Sequence, residues 1–189
     1  AFRSHRRSRI VNTGAMELIA DRLMLRPPVD GDAVTVADGV QKSLDELVPW
    51  MPWASAAYDQ GAALAWIRGE TGDPYRFVMI DGDGELVGSC GLNGVSELNR
   101  SGNLGYWVRS DRAGLGYATT ATKLLRRYGH DVAGLHRIEV VMSVRNLASR
   151  RVAEKAGAEY EGRSRGVLLL RGEFHDVDRW SFLPDRMAS

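Results

Sequence analysis

The chain has 189 residues and a formal net charge of +1. This length suits one domain with a substantial core, and so balanced a charge argues against strong attraction to nucleic acid or to a membrane. The single cysteine, Cys90, excludes an intramolecular disulfide, and its apolar surroundings predict a buried, unreactive thiol. No apolar run approaches the ~20 residues that span a bilayer, and no secretory signal is recognisable, so we expect a cytoplasmic protein.

Residues 1–15 carry four arginines and no acidic residue. We interpret them as a basic, disordered extension, followed by a single domain over residues 16–189, and Met16 is a candidate natural start. The alternative is a basic arm that contacts RNA or another polyanion. Such a protein would lose its ligand when residues 1–15 are deleted.

The first predicted elements are a strand over residues 18–27, ended by a Pro-Pro pair, and a helix to about Lys42 capped by Asp30 or Asp32. The following segment, PWMPW at residues 49–53, fits neither helix nor strand. Two tryptophans are costly to expose, so they either pack into the core or line a pocket.

A short helix capped by Asp59 and ended near residues 72–74 comes next. Residues 75–80 and 85–95 then predict two strands, joined across the Asp-Gly-Asp-Gly turn of a hairpin.

A strand, a glycine loop and a helix follow in residues 102–128. The alternation around Tyr106 predicts the strand, and helical spacing begins near Ala118. Between them, Gly114 and Gly116 leave the backbone accessible beside the unpaired first amides of the helix, an arrangement that suits a phosphate or pyrophosphate. The loop lacks the Lys-Ser/Thr of a Walker loop and the third glycine of a dinucleotide fingerprint. A plain glycine-rich turn is the alternative.

Residues 137–144 predict a further strand, and Asn146 caps a helix that ends at Gly157. Two final strands, about 158–167 and 174–183, flank a turn at residues 171–173. The count is about seven strands and four helices, with helices interrupting the strands. This pattern is typical of a mixed α/β sheet.

The segments ADRLMLRP, LGYWV, AGLGYAT, NxxSxxVxEKxG and HDVDRWSFL occur in this order between Leu18 and Leu183. Together they make the chain similar to the GNAT superfamily of acyl-CoA-dependent N-acetyltransferases, and especially to its RimJ/RimL-type ribosomal-protein N-terminal acetyltransferases. The resemblance implies a GNAT fold, which is a single α/β domain with a mixed, mostly antiparallel seven-stranded sheet and about four flanking helices.

The resemblance also implies direct attack of an amine on the thioester of acetyl-CoA, with no metal. In the family, the strand of residues 105–109 separates from that of 137–144, and the pantetheine arm of the cofactor lies in the gap. The amide of Val108 would polarise the thioester carbonyl, Asn146 would bond a pantetheine amide, and Ser149 would protonate the thiolate. A structural reading is open for both side chains, because Asn146 is a good helix cap and serine is common in a first turn.

The implied cofactor-binding residues are Val108, Arg109, Gly114, Leu115, Gly116, Tyr117, Ala118, Thr119, Asn146 and Ser149. The superfamily loop usually begins with Gln or Arg, but Ala113 stands at that position here. Arg112 is adjacent, although the family pattern does not assign it the role.

The implied general base is missing. In the ribosomal-protein enzymes a glutamate on the strand after this helix is proposed to take the proton of the amine, and the corresponding residues 166–170, GVLLL, contain no acid. Glu161, Glu173, His175 and Asp176 lie nearby in the sequence. An α-amine with a pKa near 7.8 costs only about 1 kcal/mol to deprotonate at pH 7, against about 4.6 kcal/mol for lysine. A site without a strong base therefore favours a protein N-terminus as acceptor.

The predicted acceptor groove is lined by Trp50, Trp53 and whichever of Tyr106 and Trp107 faces the cleft. Two alternatives to a protein N-terminus are open: acetylation of a small amine such as an antibiotic or polyamine, and a non-catalytic acyl-CoA-binding module. The resemblance implies a monomer or homodimer.

Overall fold

A single nine-stranded sheet organises the part of the chain that the computed structural model describes, residues 9–13 and 15–184. All neighbouring strands are antiparallel except β6 and β7, which are parallel, and the spatial order is β1-β2-β3-β4-β5-β6-β7-β9-β8. The strands are β1 (Arg9–Thr13), β2 (Ala15–Ala20), β3 (Leu23–Arg26), β4 (Tyr75–Asp81), β5 (Leu86–Ser96), β6 (Ser101–Val108), β7 (Arg137–Ser143), β8 (Glu159–Leu170) and β9 (Glu173–Phe182).

Helices cover both faces of this sheet. Two separate apolar cores result, one that includes residues of α4 and α5 and one that includes residues of α1 and α3. No helix in the described ranges is long and apolar enough to cross a bilayer. The helices are α1 (Ala33–Gln41), α2 (Leu44–Leu47), α3 (Gln60–Arg68), α4 (Tyr117–Asp131) and α5 (Leu147–Ala156).

The mixed, mostly antiparallel α/β architecture is confirmed, but the predicted number of strands is too low. The predicted first strand is a hairpin, in which β2 and β3 pair across a turn that holds Asp21 at φ 53°. Arg9–Thr13, within the predicted disordered extension, form β1 and pair with β2, so disorder does not hold for them. Residues 1–8 and 14 lie outside the described residues. The extra helix, α2, is a single turn.

The predicted N-caps hold for α3 and for α5, where Asn146 accepts from the Ser149 amide, and fail for α1. Asp59 accepts from the Ala62 amide at 2.9 Å and so caps α3. At α1 the Asp32 carboxylate instead binds the Arg26 guanidinium at 2.7 and 2.8 Å, and it also accepts from the Val29 amide. Asp30 pairs with Arg68. An ion pair in reach outcompetes the weaker local capping bond at these two aspartates.

The parallel strands β6 and β7 separate after a short ladder. Their paired residues run only from Ser101–Arg137 to Asn103–Glu139. Beyond that point β6 stays paired with β5 and β7 with β9. The two strands therefore splay apart and leave a gap in the sheet. Side chains from both faces of the sheet can reach this gap.

Candidate active site

The gap between β6 and β7 opens into a cavity of about 620 Å³. Strand residues of both β6 and β7 line it, together with the first turn of α5 and the segment before α3. All four residues predicted for the acceptor groove and two of those predicted for the cofactor are among its lining: Trp50, Trp53, Tyr106, Trp107, Asn146 and Ser149.

The backbone amide of Val108 points toward the gap. The Arg109 amide donates to the Val87 carbonyl at 2.8 Å, which makes Val108 and Gly88 a non-hydrogen-bonded pair of the β5–β6 ladder. In such a pair the N–H and C=O groups face away from the partner strand. On that side of β6 lies β7, so the Val108 N–H is directed into the gap and can serve as a hydrogen-bond donor there.

Ser149, in the first turn of α5, makes contacts that fix its position. Its amide donates to Asn146 Oδ1 at 3.0 Å, the N-cap bond of α5, and its Oγ lies 3.0 Å from the Tyr106 hydroxyl. Burial raises the pKa of Tyr106 to about 12, against the opposing effect of its bond to Ser149. The phenol therefore keeps its proton at neutral pH, and the two hydroxyls form a short chain that can deliver a hydrogen to the gap.

The glycine loop leads into α4 with its backbone open to solvent. Gly114 and Gly116 have φ of 79° and 87°, a region in which a residue with a Cβ is strained. A Cβ on either glycine would meet nothing within 4 Å. Because the Thr120 amide donates to the Gly116 carbonyl, the preceding amides of the helix have no acceptor in it. The loop thus has the geometry of an anion site at a helix N-terminus.

The two arginines beside this loop already have carboxylate partners. Arg109 binds the Asp111 carboxylate with both Nε and Nη2, at 3.0 and 2.8 Å. Arg112 lies 3.8 Å from the buried carboxylate of Asp81. Neither side chain is therefore free to take the place of the Gln or Arg that the family usually has at the position of Ala113. Binding of an anion by this loop would depend on its backbone amides.

Trp50 and Trp53 lie on a loop that one arginine holds in place. Arg171, in the turn between β8 and β9, donates to the carbonyls of Val48, Met51 and Ala54. Trp53 keeps 42% of its surface exposed, whereas Trp107 is 6% exposed and packs with the core of α1 and α3. Trp50 and Trp53, on the tryptophan loop of residues 49–53, therefore line the cavity and do not belong to the core.

We expect Arg171→Met to raise the KM for the acceptor roughly tenfold and to leave the Kd for acetyl-CoA unchanged. The change removes the hydrogen-bond donors that hold the tryptophan loop. The free energy that corresponds to a tenfold change in KM is on the scale of one charge-assisted hydrogen bond. Steady-state kinetics and calorimetry test this. Arg150→Met is the matched control, because Arg150 pairs with Glu154 on the exposed surface of α5. An unchanged acceptor KM would contradict the positioning role of Arg171.

No acid enters the cavity from residues 166–170, where only Leu168 and Leu170 reach it. Glu161 binds Arg137 and Ser181, and these bonds, the one from Arg137 foremost, lower its pKa to about 2. Such a carboxylate is a poor base. Asp176 accepts from the Gly166 amide, and Glu173 pairs with Arg145.

His175 is different, because its Nδ1 lies 2.9 Å from Oγ of Ser143, which lines the cavity. The sequence pattern did not single out Ser143, since a serine at the end of a strand carries no local functional signal.

Known proteins share this fold and part of this sequence. The Mycobacterium smegmatis RimJ structure in complex with CoA-disulfide has a TM-score of 0.79 at 26% identity and covers 88% of this chain and 84% of that one. The [Ribosomal protein uS5]-alanine N-acetyltransferase of Escherichia coli (strain K12) is 28% identical over 87% of this chain and 89% of its own. The Bacillus subtilis (strain 168) protein named "Putative ribosomal N-acetyltransferase YdaF" is 34% identical, over 53% of this chain and about half (55%) of that relative.

A family model matches most of the chain. Residues 22–159 match the Acetyltransferase (GNAT) domain, a span that includes the gap, the glycine loop and α5. The splayed strands, the open loop at the start of α4 and the matched domain all agree with the resemblance found in the sequence. The chain therefore belongs to the GNAT family of N-acetyltransferases.

Proposed function

We propose that this protein transfers the acetyl group of acetyl-CoA to the N-terminal α-amine of a protein, as the ribosomal-protein acetyltransferases among its relatives are named to do. The observation that carries the proposal is the gap between β6 and β7, toward which the Val108 amide is directed and whose cavity the Ser149 side chain lines. An acyl transfer needs a donor for the developing oxyanion and a proton for the leaving group. The gap offers both.

The residues present fit acetyl-CoA as the acyl donor, which supplies an activated thioester. The amides at the start of α4 suit its pyrophosphate, because they are unpaired in the helix and no side chain covers Gly114 or Gly116. Asn146 and the exposed edge of β6 suit the amide groups of its pantetheine arm. In this assignment Val108, Arg109, Gly114, Leu115 and residues 116–119 contribute backbone contacts.

Three groups of this chain then act at the reacting atoms. The Val108 N–H stabilises negative charge on the carbonyl oxygen as the amine attacks, an interaction whose loss in another enzyme costs about 2.7–4 kcal/mol. Ser149 gives its proton to the departing sulfur while the Tyr106 hydroxyl, 3.0 Å away, passes its own proton to the serine, and water then reprotonates the phenol. The tryptophan loop holds the acceptor beside the gap and excludes water.

The cavity lining favours a protein N-terminus over a polycation. Among the described residues that line it, the charged ones are Asp73 and Arg76, while most of the rest are aromatic or aliphatic. A polyamine or an aminoglycoside would need several carboxylates to replace its lost hydration. One amine attached to a small side chain and a peptide backbone fits this surface better.

The test is thiol release from acetyl-CoA against a panel of amines. The panel contains N-terminal peptides of ribosomal proteins, the same peptides with blocked N-termini, and small polyamines and aminoglycosides. We expect release only with free N-termini, and mass spectrometry should place the acetyl group on the α-amine.

Other outcomes would replace the proposal. Release only with small amines would make the protein a small-molecule acetyltransferase. Binding of acetyl-CoA without release across the panel would favour a non-catalytic acyl-CoA-binding module. The blocked peptides are the matched control, because they differ from the substrates only in the reacting nitrogen.

A further inference from the structure

A buried serine–histidine pair lies at the edge of the cavity, where the sequence pattern offers no general base. Ser143 is 3% exposed, ends β7 and lines the cavity. Its Oγ lies 2.9 Å from Nδ1 of His175 on β9. The His175 side chain keeps 9% of its surface exposed, so the ring is sheltered from bulk water.

The pair lies on the face of the sheet that packs against α1 and α3. We call this face the acceptor side, because Trp107 of the predicted acceptor groove lies there. Val140 and Met142 belong to the core that includes α4 and α5, so the alternate residue Ser143 faces the opposite side. That side also holds Trp107 and the core of α1 and α3. Ser143 pairs with Val177 across β7–β9, which places His175, two residues from Val177, on the same face.

Neighbouring strands confirm this placement. Leu168 of β8 pairs with His175, and Leu170 pairs with Glu173. Both leucines line the cavity. The serine–histidine pair therefore lies beside two further residues of the cavity lining.

The hydrogen-bond partners of Ser143 are compatible with proton transfer toward His175. Its Oγ accepts from the Arg145 amide at 3.3 Å, and its hydroxyl can donate to Nδ1 of His175, 2.9 Å away. In that tautomer the ring carries its hydrogen on Nε2, which lies 3.6 Å from the Glu173 carboxylate. Glu173 is 59% exposed and pairs with Arg145. The chain of groups thus runs from the cavity to solvent.

We propose that Ser143 and His175 form the proton relay that takes the proton of the acceptor amine, an inference that rests on the proposed acetyl transfer. As the ammonium nitrogen loses a proton to Ser143 Oγ, the serine passes its own hydrogen to Nδ1 of His175. The serine is regenerated, the ring becomes an imidazolium, and the neutral amine keeps its lone pair for attack. The imidazolium later releases its Nε2 proton to water beside Glu173, and proton exchange with water returns the remaining hydrogen from Nδ1 to Nε2 before the next turnover.

The charges around the ring are compatible with this step. The Glu173 carboxylate lies 3.6 Å from Nε2, and it also accepts from the Arg145 guanidinium. Asp176, next along β9, is engaged by the Gly166 amide. The position on the acceptor side separates this pair from Ser149 and Tyr106, whose hydroxyls serve the leaving group.

The decisive experiment compares amines of different basicity. His175→Asn keeps a polar group near Ser143 but cannot take up a proton. The probes are an accepted peptide, or an accepted small amine, and analogues whose amine pKa is lowered by fluorination next to the nitrogen. At a fixed pH below the amine pKa we expect His175→Asn to lose turnover by about 10²-fold with the most basic amine, a typical value for an acid–base group. The loss should shrink steadily as the amine becomes more acidic.

Matched variants make the result specific. Ser143→Ala should show the same dependence on amine basicity, and Asp176→Asn should show none. All three should bind acetyl-CoA with unchanged affinity in calorimetry. An equal loss with every amine would show a structural role and overturn the relay, as would full activity of His175→Asn. A wild-type protein that acetylates no amine would overturn the proposed function itself.

Discussion

Replacement of Gly116 by valine should abolish most of the affinity for acetyl-CoA while the protein stays folded. We expect the variant to fold, because a Cβ at this position meets no atom within 4 Å. The same open space is where the phosphates must approach the loop amides. A branched side chain there would block that approach, and we expect the Kd to rise at least about tenfold, or about 1.4 kcal/mol.

The positive φ of Gly116, 87°, adds a second effect that needs its own control. A side chain in this conformation costs roughly 1–2 kcal/mol of stability. Gly72 has φ of 84° and equally open surroundings, but it lies between α3 and β4. Gly72→Val should therefore lower the unfolding midpoint to a similar extent and leave the calorimetric Kd unchanged. Unchanged affinity in Gly116→Val would remove the loop from the cofactor site.

Replacement of Ser149 by alanine should lower kcat by about 10²-fold, the lower end of the range for a proton-transferring group. The Kd for acetyl-CoA should change little, because the Asn146 cap bond uses the backbone amide of residue 149 and survives the substitution. Steady-state kinetics with an accepted amine and calorimetry measure the two quantities separately. A variant with wild-type turnover would show that Ser149 is only a helix residue.

The Tyr106 hydroxyl supplies the matched comparison. Tyr106→Phe removes one oxygen from the Tyr106–Ser149 pair and keeps the ring packed against the apolar core. If the two hydroxyls act in one chain, the double variant should lose little more turnover than Ser149→Ala alone. Losses that multiply would show that the tyrosine acts independently of the serine.

The site was only partly predictable from the sequence. Asn146, Ser149 and the glycine loop were found because each belongs to a helix start, where local spacing and the family segments agree. The cofactor and catalytic roles assigned to them stay predictions. Tyr106 was expected to line the acceptor groove, and the structure adds its bond to Ser149. That contact joins residues 43 positions apart, so no local pattern could reveal it.

The sequence alone determined the type and order of most elements, because the period of apolar residues and the preferences of Gly, Pro, Asp and Asn act within a few positions. It missed the turn at Asp21, whose positive φ has no glycine to signal it.

Only the tertiary structure decided where β6 leaves β7, that Ser143 meets His175 across 32 positions, and that Arg171 holds a loop about 120 residues away. Strand order and register fix these contacts. They arise from the packing of the whole sheet, which no short segment of the chain encodes.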